Sequence, residues 1–424
     1  MPKPGKGTEI IDFLLSQASK DMREPLVPMV MPALAAHLSE VEFMYSDHKY
    51  YEMSGQMGHL IGPSGIGKAQ LSHMVEAVMR SFRQHDNVEY EKLAAWQRQV
   101  KTKGANKEKP ERPEIAIWFP PADMTNPAFL QNAMALEKQG GRTQYINLTE
   151  VEMADSMFGG HKKVSQMVRN IYDCQRAGAL RATAEGVTGN PKLRVDLTIS
   201  STPDAARNFY RKDLTNGFFG RIPFVYKGRD GRRSGKIPVQ GTYSDEFLLK
   251  LDAYLLKLDT CRGRFEVRQL NAKANQLAEE MAQIADITDD DMLWELSHRS
   301  IFSAWKKAAV LWILNGQTWS KSIGNFMEWF CYFDLWSKVR VFGDLFSEPD
   351  SLNDNTVQKP GPRNMLNDLP DTFSEQQLEA LRLEAGKSQK GTKDQLLHWK
   401  FRKFVTYSEE TKLYTKTEKY KNAG

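Results

Sequence analysis

Cysteine is scarce in this sequence. Cys174, Cys261 and Cys331 are its three, far apart and without a CxxC spacing. That excludes a disulfide framework and a zinc ribbon; buried free thiols are the plain reading. The eight histidines are equally scattered, so the sequence assigns no metal site. Long hydrophobic runs are also missing. The apolar stretch from Leu26 to Leu34 is short and broken by Pro28 and Pro32, whereas a membrane helix needs roughly 18–20 apolar residues. The first seven residues, MPKPGKG, lack the apolar core of a signal peptide. The expectation is a cytoplasmic protein with no membrane partner. Nor does one sign of charge dominate: 58 Lys and Arg stand against 53 Asp and Glu, a net charge of +5. Only local clustering of that excess would speak for nucleic acid.

What is present is a chain of 424 residues, 41% hydrophobic, long enough for two or three domains. Residues 1–50 read as a helical lead-in and 51–242 as an α/β core. Residues 243–347 read as a helical domain rich in Trp, Phe and Leu, 348–369 as a linker, and 370–424 as a small terminal domain. Five short apolar runs (59–61, 115–119, 143–148, 193–201, 222–226) alternate with helical stretches, which predicts a parallel sheet covered by helices. Residues 98–113 carry six basic side chains against two acidic ones and read as a surface loop, either simply solvated or touching a polyanion.

The strongest local signal is Gly62-Pro63-Ser64-Gly65-Ile66-Gly67-Lys68-Ala69, which fits GxxxxGK but has alanine where the full phosphate-loop pattern has Ser or Thr. Glycines let the backbone turn so that successive N–H groups face phosphate oxygens, and the next helix adds its positive end. Three fixed positions arise by chance in roughly one chain in ten of this length, so the setting matters. An apolar run precedes the loop, and Leu71, Met74, Val75, Val78, Met79 and Phe82 follow with helical spacing. Strand, loop and helix together favour a nucleoside-triphosphate-binding site over a plain glycine turn. Alanine at 69 removes the hydroxyl that normally binds Mg²⁺, which weakens support for that ion.

A hydrolase of this kind needs a carboxylate at the end of a neighbouring strand. Thr149-Glu150 after the 143–148 run offers Glu150 as the catalytic acid, with Thr149 where an Mg²⁺-supporting Asp is usual; a helix cap accounts for Glu150 as well. Ser201 and Thr202 end the next strand, as γ-phosphate sensors or as an ST-turn. Arg221, after Gly217-Phe-Phe-Gly220, is placed to protrude, either into a neighbouring subunit's site in trans or into a surface ion pair.

Near the C-terminus, two amphipathic helices and an alternating segment with Glu409-Glu410 at its tip follow the winged-helix plan. From Gly386 onward ten basic residues face four acidic ones, an excess of six that exceeds the whole chain's +5. Lys393, Lys400, Arg402, Lys403 and Lys412 are the candidate DNA contacts there, with Arg232 and Arg233 in a second basic cluster. A winged helix used for protein contacts is the alternative.

The order of these motifs, with Pro121-Ala-Asp-Met-Thr-Asn-Pro-Ala-Phe-Leu130 between the loop and Glu150, resembles the helicase-like P-loop ATPase domain associated with primases in bacterial mobile elements and phages, particularly Bacteroides-type integrative elements. The likeness runs from about residue 26 to 417. It implies a RecA/AAA-like core with a parallel sheet, a helical region and a C-terminal winged helix. It further implies ATP at residues 62–68, Glu150 as catalytic acid, Arg221 as a trans arginine, and a homo-oligomer of the hexameric kind, working on single- or double-stranded DNA with other mobile-element proteins. The absence of a primase motif ahead of the loop leads us to expect no primer synthesis. Two functions remain open: a DNA motor driven by ATP hydrolysis, and a DNA-binding oligomer that binds nucleotide with little hydrolysis. A metabolite kinase is a weaker third, disfavoured by the basic tail.

Overall fold

The computed structural model describes residues 9–102, 110–181, 186–214, 217–229, 243–288, 290–346, 365–366, 368–384, 391–401 and 403–421. The chain divides into two compact units, Met1–Gly343 and Asp344–Gly424.

The larger unit begins with α1 (Glu9–Leu15) and α2 (Arg23–Ala35). Helix α2 continues through Pro28 and Pro32 and buries residues all round its circumference, the mark of a core helix rather than a surface one. Strands β1 (Val41–Met44) and β2 (Tyr50–Glu52) follow, within the stretch read as purely helical; β1 pairs antiparallel with β2 and parallel with β7 (Gly263–Phe265).

The central sheet contains β3 (Met57–Ile61), β4 (Gln144–Leu148), β5 (Val195–Ser201) and β6 (Phe224–Tyr226), in the order β4-β5-β3-β6 and parallel throughout. Every residue of β3 and β5 is buried, as in a parallel sheet covered on both faces, even though β5 alternates Val195, Leu197 and Ile199 with Asp196, Thr198 and Ser200. Between β3 and β4 lie α3 (Ala69–Val78), α4 (Arg80–Thr102) and α5 (Asn126–Lys138). The six apolar positions foreseen for the helix after the loop are all buried. The segment 98–102, expected in a loop, instead completes α4; residues 103–109 lie outside the described residues.

The fifth expected strand, 115–119, is not a ladder strand. Its N–H groups are bonded by side chains: Ala116 to Glu89, Ile117 to Asn132, and Trp118 and Phe119 to the two oxygens of Asp86, at 2.7–3.2 Å. One backbone bond, Tyr145 N–H to Trp118 O, ties it to β4. The opposite edge is closed likewise. The outward N–H groups of Phe224 and Tyr226 on β6 donate to Asp334 Oδ1 (2.7 Å) and Ser337 Oγ (3.0 Å) of a long helix described below. Both edges are therefore covered by side chains, which removes their unpaired N–H groups from contact with other chains.

Between β4 and β5 lie α6 (Met153–Phe158), α7 (His161–Tyr172) and an antiparallel excursion bridged at Arg176–Lys192 and Ala179–Gly189. Then come α8 (Pro203–Tyr210) and the short α9 (Phe218–Arg221). The helical region expected after the sheet is present as α10 (Asp245–Asp259), α11 (Arg268–Thr288), α12 (Asp291–Leu314) and α13 (Lys321–Phe346). It packs on the sheet through charged groups as well as apolar ones. Lys306 and Lys307 on α12 are buried and donate to Ser54 O (2.6 Å) and Met57 O (2.7 Å) at the start of β3. Burial pushes the Lys307 ammonium down to about 7.

In the smaller unit, β8 (Thr372–Phe373), α14 (Glu375–Glu384), α15 (Thr392–Phe401), β9 (Val405–Ser408), β10 (Leu413–Lys416) and the one-turn α16 (Glu418–Lys421) form three helices and a three-stranded antiparallel sheet of order β8-β10-β9. Leu366, Phe373, Leu378, Leu396, Trp399 and Val405 make its core. Glu409 and Glu410 lie at the tip between β9 and β10.

Candidate nucleotide-binding site

The 62–68 loop joins the C-terminal end of β3, the inner strand between β5 and β6, to the first turn of α3. Crevices at the carboxyl ends of parallel strands are where ligands bind in open α/β sheets. Gly62 N–H donates to Ser201 O at 3.1 Å, which fixes the loop's start against β5. A side chain there would put Cβ 2.9 Å from Lys227 O, so the position admits glycine alone without movement. Gly65 and Gly67 have φ of +78° and +98°, conformations that L side chains rarely adopt. Lys68 Nζ folds back over the loop and donates to Gly62 O (2.5 Å) and Pro63 O (3.2 Å). Burial lowers its pKa, and the charge of Glu150 opposes that shift. The loop, its ammonium and the carboxylate thus share one edge of the sheet. Glu150 itself is exposed, two residues past β4. One intervening strand, β5, separates β3 from β4, so their ends stand roughly 9–10 Å apart across the sheet.

The loop presents an open turn at Gly65, the first turn of α3 behind it and one cation, Lys68. It offers little to hold Mg²⁺. Ala69 offers no oxygen, and the Thr149 hydroxyl turns to Met153 Sδ at 3.8 Å.

The two candidate sensor side chains are engaged elsewhere. Thr202 Oγ1 caps α8 by accepting from Ala205 N–H at 3.3 Å, as an ST-turn would. Ser201 is buried; its hydroxyl donates to Thr202 O (3.1 Å) and lies 2.8 Å from His59 Nε2. With Ser201 donating onward, His59 must give its Nε2 proton, and its Nδ1 accepts from Tyr210 OH at 3.0 Å. One neutral tautomer satisfies the whole chain, in keeping with a His59 pKa pushed down to about 3 by burial. The unfolded chain takes up a proton here as pH falls below about 6.5, whereas the folded protein does not until about 3. Stability from this group is therefore present above pH 6.5 and drains away on acidification toward 3, by up to about 1.4 kcal/mol per pH unit. We expect the pH 4–7 urea midpoints of His59→Gln to fall less steeply on acidification than those of the wild type. Parallel slopes would show that His59 does not carry this dependence.

Arg221 lies at the other end of the sheet. It precedes β6, whose Tyr226 is level with Ile61; at about 3.3 Å per extended residue it stands on the order of 15–20 Å from its own loop. Its Nη1 donates to Gly217 O (2.8 Å) and its Nη2 to Asp173 (3.1 Å), while Nε has no partner. The ion-pair reading of Arg221 therefore describes the single chain.

In the small unit, Lys393, Lys400, Lys403 and Lys412 are all exposed. Lys393 and Lys400 share the outer face of α15 with Leu397, since positions seven apart nearly superpose on a helix, while Leu396 and Trp399 face the core. Lys412 is at the hairpin tip. Arg402, Arg232 and Arg233 lie outside the described residues.

Sequence reasoning missed what holds the far side of the loop. Gln70 is buried and exchanges two bonds with Ser19, 2.9 Å from its N–H and 3.0 Å to its hydroxyl, and Met22 packs against Gly67. No spacing pattern links residues so distant in sequence. Compared with known proteins, the chain matches no family model, and no curated protein matches it.

Proposed function

We propose that this chain is an ATP-binding, DNA-dependent motor of the RecA/AAA-like P-loop class, active as a ring of identical subunits and serving replication or mobilisation of a mobile element. The observation that carries this reading is the placement of three charged groups at opposite ends of the sheet: Lys68 and Glu150 after the carboxyl ends of β3 and β4, Arg221 ahead of β6. Under it, the loop N–H groups and Lys68 hold and neutralise the β- and γ-phosphates, and Glu150 takes a proton from the attacking water as the γ-phosphorus–oxygen bond breaks to give ADP and phosphate. Arg221 cannot reach its own loop, so it acts on a neighbour's. The strand order, with one strand between loop strand and acid strand, supports a RecA/AAA-like core, because the gap leaves room for water between γ-phosphate and carboxylate. The helix pair and hairpin of the small unit support a winged helix whose α15 faces DNA.

The test is ATP hydrolysis by the purified protein, with and without single-stranded DNA, at several Mg²⁺ concentrations. DNA-stimulated turnover supports the motor; turnover no higher than that of Lys68→Ala and Glu150→Gln sinks it. Ala69 and the orientation of Thr149 favour a second reading, a DNA-binding oligomer that binds nucleotide but hydrolyses it little. That one requires nucleotide affinity that survives chelation of Mg²⁺.

DNA contact through α15 has its own signature. Each phosphate neutralised adds about 0.9 to the slope of log K against log salt. Replacing Lys393 and Lys400 together with alanine should lower that slope by roughly 2, measured by fluorescence anisotropy between 50 and 200 mM salt. An unchanged slope would remove α15 from the interface.

A further inference from the structure

We propose that Arg299 on α12 is a second trans-acting cation, which joins Arg221 in stabilising the charge that develops on a neighbouring subunit's nucleotide; this rests on the function proposed above. Both guanidinium carbons lie close to one aromatic ring, that of Tyr172, at 5.8 Å for Arg221 and 6.0 Å for Arg299 from its centroid. Two segments far apart in sequence converge there. The Arg299 side chain passes 3.5 Å from where a Cβ on Gly220 would stand, an ordinary packing contact that puts it beside the residue preceding Arg221. Tyr172 is fixed from below, its hydroxyl 3.4 Å from Ser303 Oγ.

The two arginines differ in their resting partners. Arg221 is paired with Asp173. Arg299 makes no ion pair with any described carboxylate, although two carboxylates, Asp173 and Glu295, line the same open groove of about 510 Å³ with it, beside Gly217, Trp294 and His298. A guanidinium that stands at a groove with no carboxylate in ion-pair contact can turn to an incoming anion, and its planar fork suits phosphate oxygens. The groove stands at the sheet end opposite the 62–68 loop, so the phosphate it meets belongs to another copy of this chain. On that approach Asp173 is displaced from Arg221, while Arg299 has no pair to break.

Mixed assemblies test this. Arg299→Ala alone should cut DNA-stimulated ATP turnover by on the order of 100-fold or more, the usual cost of a lost charge-stabilising donor. Its own nucleotide affinity, read with a fluorescent ATP analogue, should remain within about threefold. Arg299→Lys, which keeps the charge but loses the fork, should recover only part of the rate. Lys68→Ala subunits keep both arginines. Mixed one to one with Arg299→Ala subunits, they should restore whole sites at roughly a quarter of the interfaces if subunits assort at random. A role of Arg299 in its own subunit's nucleotide site or folding gives no such rescue. Wild-type turnover in Arg299→Ala, or an inactive mixture, overturns the proposal while leaving the ATPase reading intact. A wild-type protein that binds no nucleotide overturns both.

Discussion

Lys68→Ala should abolish ATP turnover and weaken nucleotide binding sharply, whereas Glu150→Gln should abolish turnover alone. The asymmetry follows from position. The ammonium sits within the loop, 2.5 Å from Gly62 O and partly withdrawn from water; on the proposed reading it turns from that carbonyl to the phosphate oxygens. Charge-assisted hydrogen bonds of this kind are about twice as strong as neutral ones. Without the ammonium, the charge on a bound triphosphate is met by backbone N–H groups and the end of α3 alone. Loss of one preorganised charge-stabilising donor costs on the order of 10²–10³ in rate. Glu150 is exposed at the end of a different strand, so its substitution removes a proton acceptor without touching the cradle. Titration with a fluorescent ATP analogue and a phosphate-release assay on both variants would check this. Equal nucleotide affinity in wild type and Lys68→Ala would refute a phosphate-binding role for the loop.

Asp334→Ala should destabilise the larger unit by about 3–5 kcal/mol, the range for removing one partner of a buried ion pair. Asp334 and Lys338 are both fully buried, 2.7 Å apart. The carboxylate also accepts from Phe224 N–H (2.7 Å) and Ser300 Oγ (2.6 Å). Its removal strands the Lys338 ammonium with Ser300 as its remaining partner and orphans an N–H at the sheet edge. Replacing the pair together, Asp334→Ala with Lys338→Met, should recover much of the loss because no unpaired charge remains. Urea denaturation would read both. A single variant within about 0.5 kcal/mol of wild type, as at an ordinary surface site, would contradict the account. The effect bears on the nucleotide site as well: β6 leads directly into Lys227, whose carbonyl is the wall against which Gly62 turns.

Where local pattern and burial agree, the sequence was readable. The helix after the loop announced itself through six apolar positions, and four strands of the sheet through short apolar runs, because each signal is carried by neighbouring residues. The 115–119 run misled for the opposite reason. It is extended and half-buried, as its composition suggests, but Asp86, Glu89 and Asn132 take its N–H groups, and nothing in the run itself reveals partners on α4 and α5. Lys306 and Lys307 bring two charges into the middle of α12, and no local pattern marks them as buried. They are core anchors, since their ammonium groups reach carbonyls some 250 residues away in the chain. β1, β2 and β7 were hidden by brevity: three or four residues each, they exist as strands because they find one another. At the candidate site, residue types were legible and orientations were not. Ser201 and Thr202 stand at the strand end as expected, yet which way their hydroxyls point depends on His59 and Ala205.

That orientation has a bearing on energy supply. On the proposed reading, the strand end between Lys68 and Glu150 presents no uncommitted hydroxyl to the terminal phosphate. Telling ATP from ADP then falls to Lys68, Glu150 and whatever the adjoining subunit contributes. An isolated chain should hold the two nucleotides nearly alike. Its occupancy would follow the ATP:ADP ratio around it, so that assembly, rather than the pocket, decides when fuel is distinguished from spent product.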